Sequence, residues 1–138
     1  MKHLHVAAAV LIFEGRILCL QRNVSSYDYI SYKFEFPGGK IEPGETKEEA
    51  LMRELSEELD ISVRISPDDF FMTVHHVYPD FEITMETYLC PVGAPAFTRK
   101  EHISHVWAAP EEMKKLDWAA ADLPVVESLV ERFQTDRP

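Results

Sequence analysis

Apolar residues crowd the start of the chain and then separate into shorter, regularly spaced groups. A run from Val6 to Phe13 stops at Glu14-Gly15-Arg16 and resumes from Ile17 to Leu20. Two apolar runs broken by a Glu-Gly pair predict a β-hairpin over 4–13 and 16–22. Residues 23–33 are polar and rich in tyrosine, which reads as a loop. Phe34-Glu35-Phe36 is a short extended piece, closed by Pro37-Gly38-Gly39. From about Thr46 to Leu59 the period becomes helical, and Thr46-Lys47-Glu48-Glu49 forms a capping box at its start. Strands are expected over 61–65, 70–78, 81–92 and 103–108, with a turn at Pro67-Asp68-Asp69. Pro110 opens a short helix. The last helix starts near Asp122-Leu123-Pro124 and carries Val126, Leu129, Val130 and Phe133 on one stripe. Mixed strands with two substantial helices predict an α/β (α+β) sandwich.

Composition narrows the function classes. The 138 residues are 46% apolar and 28% charged, which suits one soluble domain over 1–138. No apolar run is long enough to span a membrane, and the first run lacks the form of a signal peptide. Cys19 and Cys90 lie in apolar stretches, which predicts buried free thiols and a cytoplasmic protein. The net charge of −10 argues against binding a nucleic-acid polymer or an anionic membrane. It leaves room for a small phosphorylated substrate that recruits cations locally. A monomer or homodimer is expected.

The helix over 46–59 carries the chemistry. At 100° per residue, Leu51, Leu55, Leu59 and Met52 share one arc. Glu54, Glu57 and Glu58 occupy the neighbouring arc, at positions i, i+3 and i+4. Three converging carboxylates repel one another, and a hard divalent cation removes the cost. Mg²⁺ or Mn²⁺ takes such oxygen ligands and keeps waters and substrate phosphates in its shell. Arg53 lies beside Glu57, where it can orient a ligand.

The segment from Gly39 to Ile61, GKIEPGETKEEALMRELSEELDI, resembles the Nudix box, G-x5-E-x7-R-E-U-x-E-E-x-G-U with U aliphatic. Gly39, Glu45, Arg53, Glu54, Leu55, Glu57, Glu58 and Ile61 match. Asp60 stands where the family has Gly, just past the helix end. Asp tolerates the left-handed conformation common there, so a small stability cost and intact chemistry are expected. Phe34 to Glu42 is similar to the segment entering the box in MutT-type nucleotide pyrophosphohydrolases. Glu101-His102-Ile103-Ser104 and Asp122-Leu123-Pro124-Val125 are also similar to positions in that branch.

The resemblance implies a Nudix α/β/α sandwich with a mixed sheet. It implies Glu57, Glu58 and the Gly38 carbonyl as metal ligands, and Glu54 as a ligand or the base that activates water. Glu101 would join the metal site or assist the base. Arg53 would orient Glu57 or its neighbours, and Glu45 would support the loop–helix junction. Arg22 and, more weakly, Lys40 would contact phosphate. Phe36, Tyr78 and Trp107 are candidates for stacking on a base. The histidines at 75, 76, 102 and 105 receive no role.

The implied activity is divalent-metal-dependent hydrolysis of a nucleoside triphosphate to a monophosphate and pyrophosphate. Asp122 suits both capping of the last helix and reading of the base. An ionised Asp accepts hydrogen bonds, and guanine offers two adjacent donors, which favours a guanine base, oxidised or not. The resemblance to the MutT-type branch then implies 8-oxo-dGTP as the preferred substrate. The run from Glu101 to Leu129 also resembles the branch acting on CTP and modified cytosines such as 5-methyl-dCTP. A Nudix-fold binding module without turnover is a third reading, although this chain keeps every box carboxylate. Dinucleoside polyphosphates, nucleotide sugars and ADP-ribose are further substrates the box alone does not exclude.

Overall fold

The computed structural model describes residues 1–135. Its first two strands, β1 (Lys2–Phe13) and β2 (Arg16–Gln21), form the expected hairpin. Glu14 (φ 50°) and Gly15 (φ 76°) both adopt positive φ, as a two-residue turn matched to strand twist requires. β1 and β2 pair only at Ile12↔Ile17 and Phe13↔Arg16. Beyond that the sheet forks. β2 continues beside β3 (Phe34–Glu35) and β7 (Ser104–Ala108), while β4 (Gly38–Lys40) pairs with Val6–Ala8 of β1. On its other side β1 runs parallel to β6 (Phe81–Pro91), which pairs antiparallel with β5 (Phe70–Val77).

Alternating side chains of β1 and β2 feed opposite cores, as a pleated strand requires. Ala7, Ala9, Leu11, Leu18 and Leu20 pack with Leu51, Leu55 and Leu59 of α1 (Lys47–Leu59). Ala8, Val10, Ile17 and Cys19 pack with Val125, Val126, Leu129 and Val130 of α3 (Leu123–Thr135), and with Met113 of α2 (Pro110–Met113). The result is the expected α/β/α sandwich around a mixed sheet. Cys19 and Cys90 are buried free thiols, each pushed up to about 12 by burial. No described helix is long and apolar enough to cross a membrane.

The capping box at Thr46 and Glu49 is present. Asp60 sits at φ 55°, ψ 33°, the left-handed conformation expected where the family carries Gly. α1 has no basic residue in its last turn. Lys100 supplies the missing cation from another segment, donating to the Glu57 carbonyl (2.9 Å) and to Asp60 (3.0 Å).

The strand expected over 61–65 is absent. Ile61, Val63 and Ile65 do face the α1 core, so the alternation correctly marked burial. Burial does not supply a ladder partner, and the Ile65 N–H instead donates to the Met52 sulfur at 3.4 Å. β4 went unforeseen because its two glycines read as a turn.

Candidate active site

Arg53 is the centre of the carboxylate helix. Its Nε and Nη2 grip both oxygens of Glu45 (2.7 and 2.9 Å). Nη1 reaches Glu54 (3.0 Å) and Glu57 (3.3 Å), and Nη2 also donates to the Lys40 carbonyl (3.1 Å). Glu45 in turn accepts the Glu42 N–H. The Arg53 guanidinium and that N–H hold the Glu45 carboxyl down to about 2. One side chain thus ties the helix to the loop before it through a bidentate pair.

Gly39 lies against the Glu54 carboxylate and Gly38 against the β1 backbone. A Cβ at Gly39 would strike the Glu54 carboxylate, and one at Gly38 would strike the Ala7 backbone. The absence of two side chains lets the β4 backbone approach both β1 and Glu54. Glu54 is largely buried, whereas Glu57 is exposed beside Arg53. Burial, reinforced by the charges of Glu54 and Glu101, pushes the Glu58 carboxyl up to about 7. Glu54 from the helix and Glu101 from the loop after β6 thus act on Glu58 through their charge, although among the described residues no three of these carboxylates bring ligand oxygens within 4.8 Å of one another. This donor set is all oxygen and suits a hard divalent cation.

The fork in the sheet opens into a cleft of about 520 Å³. Gly38, Gly39, Lys40, Glu58 and Glu101 line one part of it, while Arg22, Phe36, Tyr78 and Asp122 line another. Arg22 pairs with Glu35 (2.9 Å), and His102 Nε2 meets the other Glu35 oxygen at 2.8 Å. Burial raises the Glu35 carboxyl, but the His102 and Arg22 bonds outweigh it and hold the group below its usual range. Arg22 Nε is buried without a hydrogen-bond partner among the described residues.

Asp122 is buried, and its Oδ1 accepts the Phe36 N–H at 3.1 Å. Burial, with Glu35 adding to it, pushes its carboxyl well above the usual range. The expected capping role is replaced by this long-range bond, because a short 3₁₀ turn over Ala120–Asp122 leads into α3. Burial opposes the ionised form of Asp122 expected from the sequence, while the Phe36 N–H and the Arg22 charge favour it.

Phe36 and Tyr78 line the cleft but already have ring partners. Phe36 stacks on Trp118 (4.8 Å), and Tyr78 stacks on Tyr29 (5.3 Å) while its hydroxyl accepts the Ala121 N–H. Trp107 lies elsewhere, against Phe13 and Phe97. Its position on β7 directs it to the α1 core. Sequence reasoning missed Glu35 and His102. Glu35 had a visible signal, a lone acid between two phenylalanines. His102 had none, because its partner lies 67 positions away.

The cleft opened by the fork is lined by Glu58 and Glu101 and also by the buried Asp122. The NUDIX domain family profile matches residues 2–129. The chain belongs to the Nudix family, whose hydrolases act with divalent metal cations. It is 33% identical to the CTP pyrophosphohydrolase of Escherichia coli over 94% of this chain and 93% of that one. It is equally 33% identical to the 8-oxo-dGTP diphosphatase of Escherichia coli, over 94% of this chain and 98% of that one. The solution structure of the E. coli ORF135 protein superposes with a TM-score of 0.81 at 32% identity, covering 100% of this chain and 95% of that one.

Proposed function

We propose that the protein hydrolyses a modified nucleoside triphosphate to a monophosphate and pyrophosphate, with 8-oxo-dGTP the preferred substrate. Glu57, Glu58 and the Gly38 carbonyl would hold Mg²⁺ or Mn²⁺, with Glu54 and Glu101 completing the donor set. The bound cation screens phosphate charge and lowers the pKa of water. Glu54 or Glu101 takes the proton of the attacking water. Arg53 fixes Glu54 and Glu57, so the carboxylates keep their places when substrate enters. Arg22, with an unused buried Nε–H, and Lys40 bind phosphate or sugar oxygens.

One observation carries the base assignment: Asp122 is buried with one oxygen already taken by a backbone N–H. A neutral acid offers one donor and one acceptor. Guanine presents two acceptors at O6 and N7, and two donors at N1 and N2. The O6/N7 edge, with two acceptors, does not match; the O6/N1–H pair does, in the normal and the oxidised base alike. Oxidation at C8 puts a proton on N7, which turns the O6/N7 edge into an acceptor–donor pair. A neutral Asp122 facing the O6/N7 edge would complement the oxidised base and not the normal one.

Cytosine supplies a second reading on the same observation, because its N3 acceptor lies beside the N4 amino donor. CTP or 5-methyl-dCTP would satisfy Asp122 equally, in keeping with the likeness to a CTP pyrophosphohydrolase. The test is chromatographic product analysis with Mg²⁺ over 8-oxo-dGTP, dGTP, CTP, 5-methyl-dCTP and ADP-ribose. Monophosphate and pyrophosphate formed fastest from 8-oxo-dGTP are expected. Faster cleavage of a cytosine substrate would select the second reading, and faster cleavage of dGTP or ADP-ribose would refute both.

A further inference from the structure

We propose that His3, His75 and Glu82 form a second cation site, one that takes a borderline-soft transition ion such as Zn²⁺. The three residues lie on β1, β5 and β6, which are neighbours in the sheet. Register sets His3 opposite Glu82, and His75 opposite Thr84, two positions along β6. Strand alternation separates this group from the cleft. Leu4, Val6, Ile83 and Met85 line the cleft. His3 and Glu82 point to the opposite face of the same two strands.

The geometry is close to that of a loaded site. His3 Nδ1 stands 3.5 Å from Glu82 Oε1, and His75 Nε2 stands 3.5 Å from Glu82 Oε2. One ligand atom from each residue can be chosen so that all lie within 4.8 Å of one another. Neighbouring ligand atoms around a tetrahedral zinc are about 3.4 Å apart, given bonds of about 2.0–2.2 Å. Small rotations of the imidazoles would therefore close the site.

A second contact prepares His3. Its Nε2 meets the Thr84 hydroxyl at 2.7 Å. With Nε2–H donating there, Nδ1 keeps a lone pair on the Glu82 side. Such a hydrogen bond fixes the tautomer and ring orientation of metal-binding histidines. His5, the next residue on this face, turns its Nε2 to Glu86 instead (2.9 Å).

The donor chemistry distinguishes the two sites. Two imidazoles and a carboxylate favour zinc, cobalt, nickel or copper over magnesium, whereas the α1 carboxylates favour hard cations. Both histidines are about half exposed, which leaves a fourth position for water. The ion would cross-link three strands directly behind the cleft wall.

Cobalt(II) tests the proposal, because tetrahedral nitrogen–oxygen sites give a strong visible band and octahedral oxygen sites a weak one. The full chain should show a strong band that saturates at one equivalent. Zn²⁺ should abolish it and excess Mg²⁺ should not. His75→Ala should lose the band while keeping Mg²⁺-dependent turnover, which shows that the variant is folded. Thr84→Val should weaken cobalt affinity by about tenfold. Glu57→Gln should keep the band. A band unchanged in His75→Ala, a band lost in Glu57→Gln, or no strong band in the wild type would each overturn the proposal.

Discussion

The carboxylate helix and the base pocket line one cleft but are built in opposite ways. At α1, residues within twenty positions of one another supply every partner of Arg53, and Lys100 and Glu101 join from the loop after β6. Arg53 reaches Glu45, Glu54, Glu57 and the Lys40 carbonyl, all near in sequence. At the other part, Asp122 meets Phe36 across 86 positions, and His102 meets Glu35 across 67. The difference separates roles. Phosphate and cation chemistry is common to many substrates and rests on a local motif. On the proposed function, base choice rests on long-range contacts that can change without disturbing the motif.

The largest expected effects fall on the helix. Glu57→Gln and Glu58→Gln should lower kcat by about a thousandfold or more while the circular dichroism spectrum stays native. Arg53→Ala should cost about a hundredfold, and Arg53→Lys should not restore it, because Lys lacks the fork that grips Glu45. Arg53→Ala should also change acid stability. Glu45 is depressed to about 2, so its pairing stabilises the fold above the ordinary carboxylate range and fades as pH falls toward 2. Acid titration of the variant should show less of that loss between about pH 4 and pH 2, because its pairing is already gone.

Smaller effects fall between the regions. Cation affinity should drop about tenfold per pH unit below the Glu58 value of about 7, since the proton competes with the ion. Titrating Mg²⁺ against activity from about pH 5.5 to pH 8 checks this slope. Lys100→Met should reduce kcat only a few-fold. Lys100 fastens the segment before Glu101 to the end of α1, and exposed pairs contribute little. A larger loss would mean that the position of Glu101 depends on α1 more than these contacts suggest.

The same contrast explains what was legible in the sequence. The capping box, the apolar stripe of α1, the left-handed Asp60 and the Arg53–Glu57 pairing follow from spacing, because helices bring i, i+3 and i+4 together. The hairpin at Glu14-Gly15 is equally local. The fork in the sheet was not legible, since no local signal says that β4 replaces β2 beside β1. The burial of Asp122 and the upward push on its carboxyl were equally out of reach, because they depend on contacts distant in sequence. The segment 61–65 shows the limit of periodicity: it reported which residues face the core and could not report a missing partner strand.

The central claim is that Asp122, as a neutral acid, reads the O6/N7–H edge found only in the oxidised guanine. The direct measurement is the ratio of kcat/KM for 8-oxo-dGTP over dGTP, from about pH 6 to pH 9, in the wild type and in Asp122→Asn. Burial raises the carboxyl, so the donor is present at low pH and lost as pH rises through its titration. The wild-type ratio should therefore fall with increasing pH. Asp122→Asn keeps one donor and one acceptor without titrating, so its ratio should stay high and flat. A wild-type ratio independent of pH, together with loss of selectivity in Asp122→Asn, would show that an ionised Asp122 reads the base and would contradict the account.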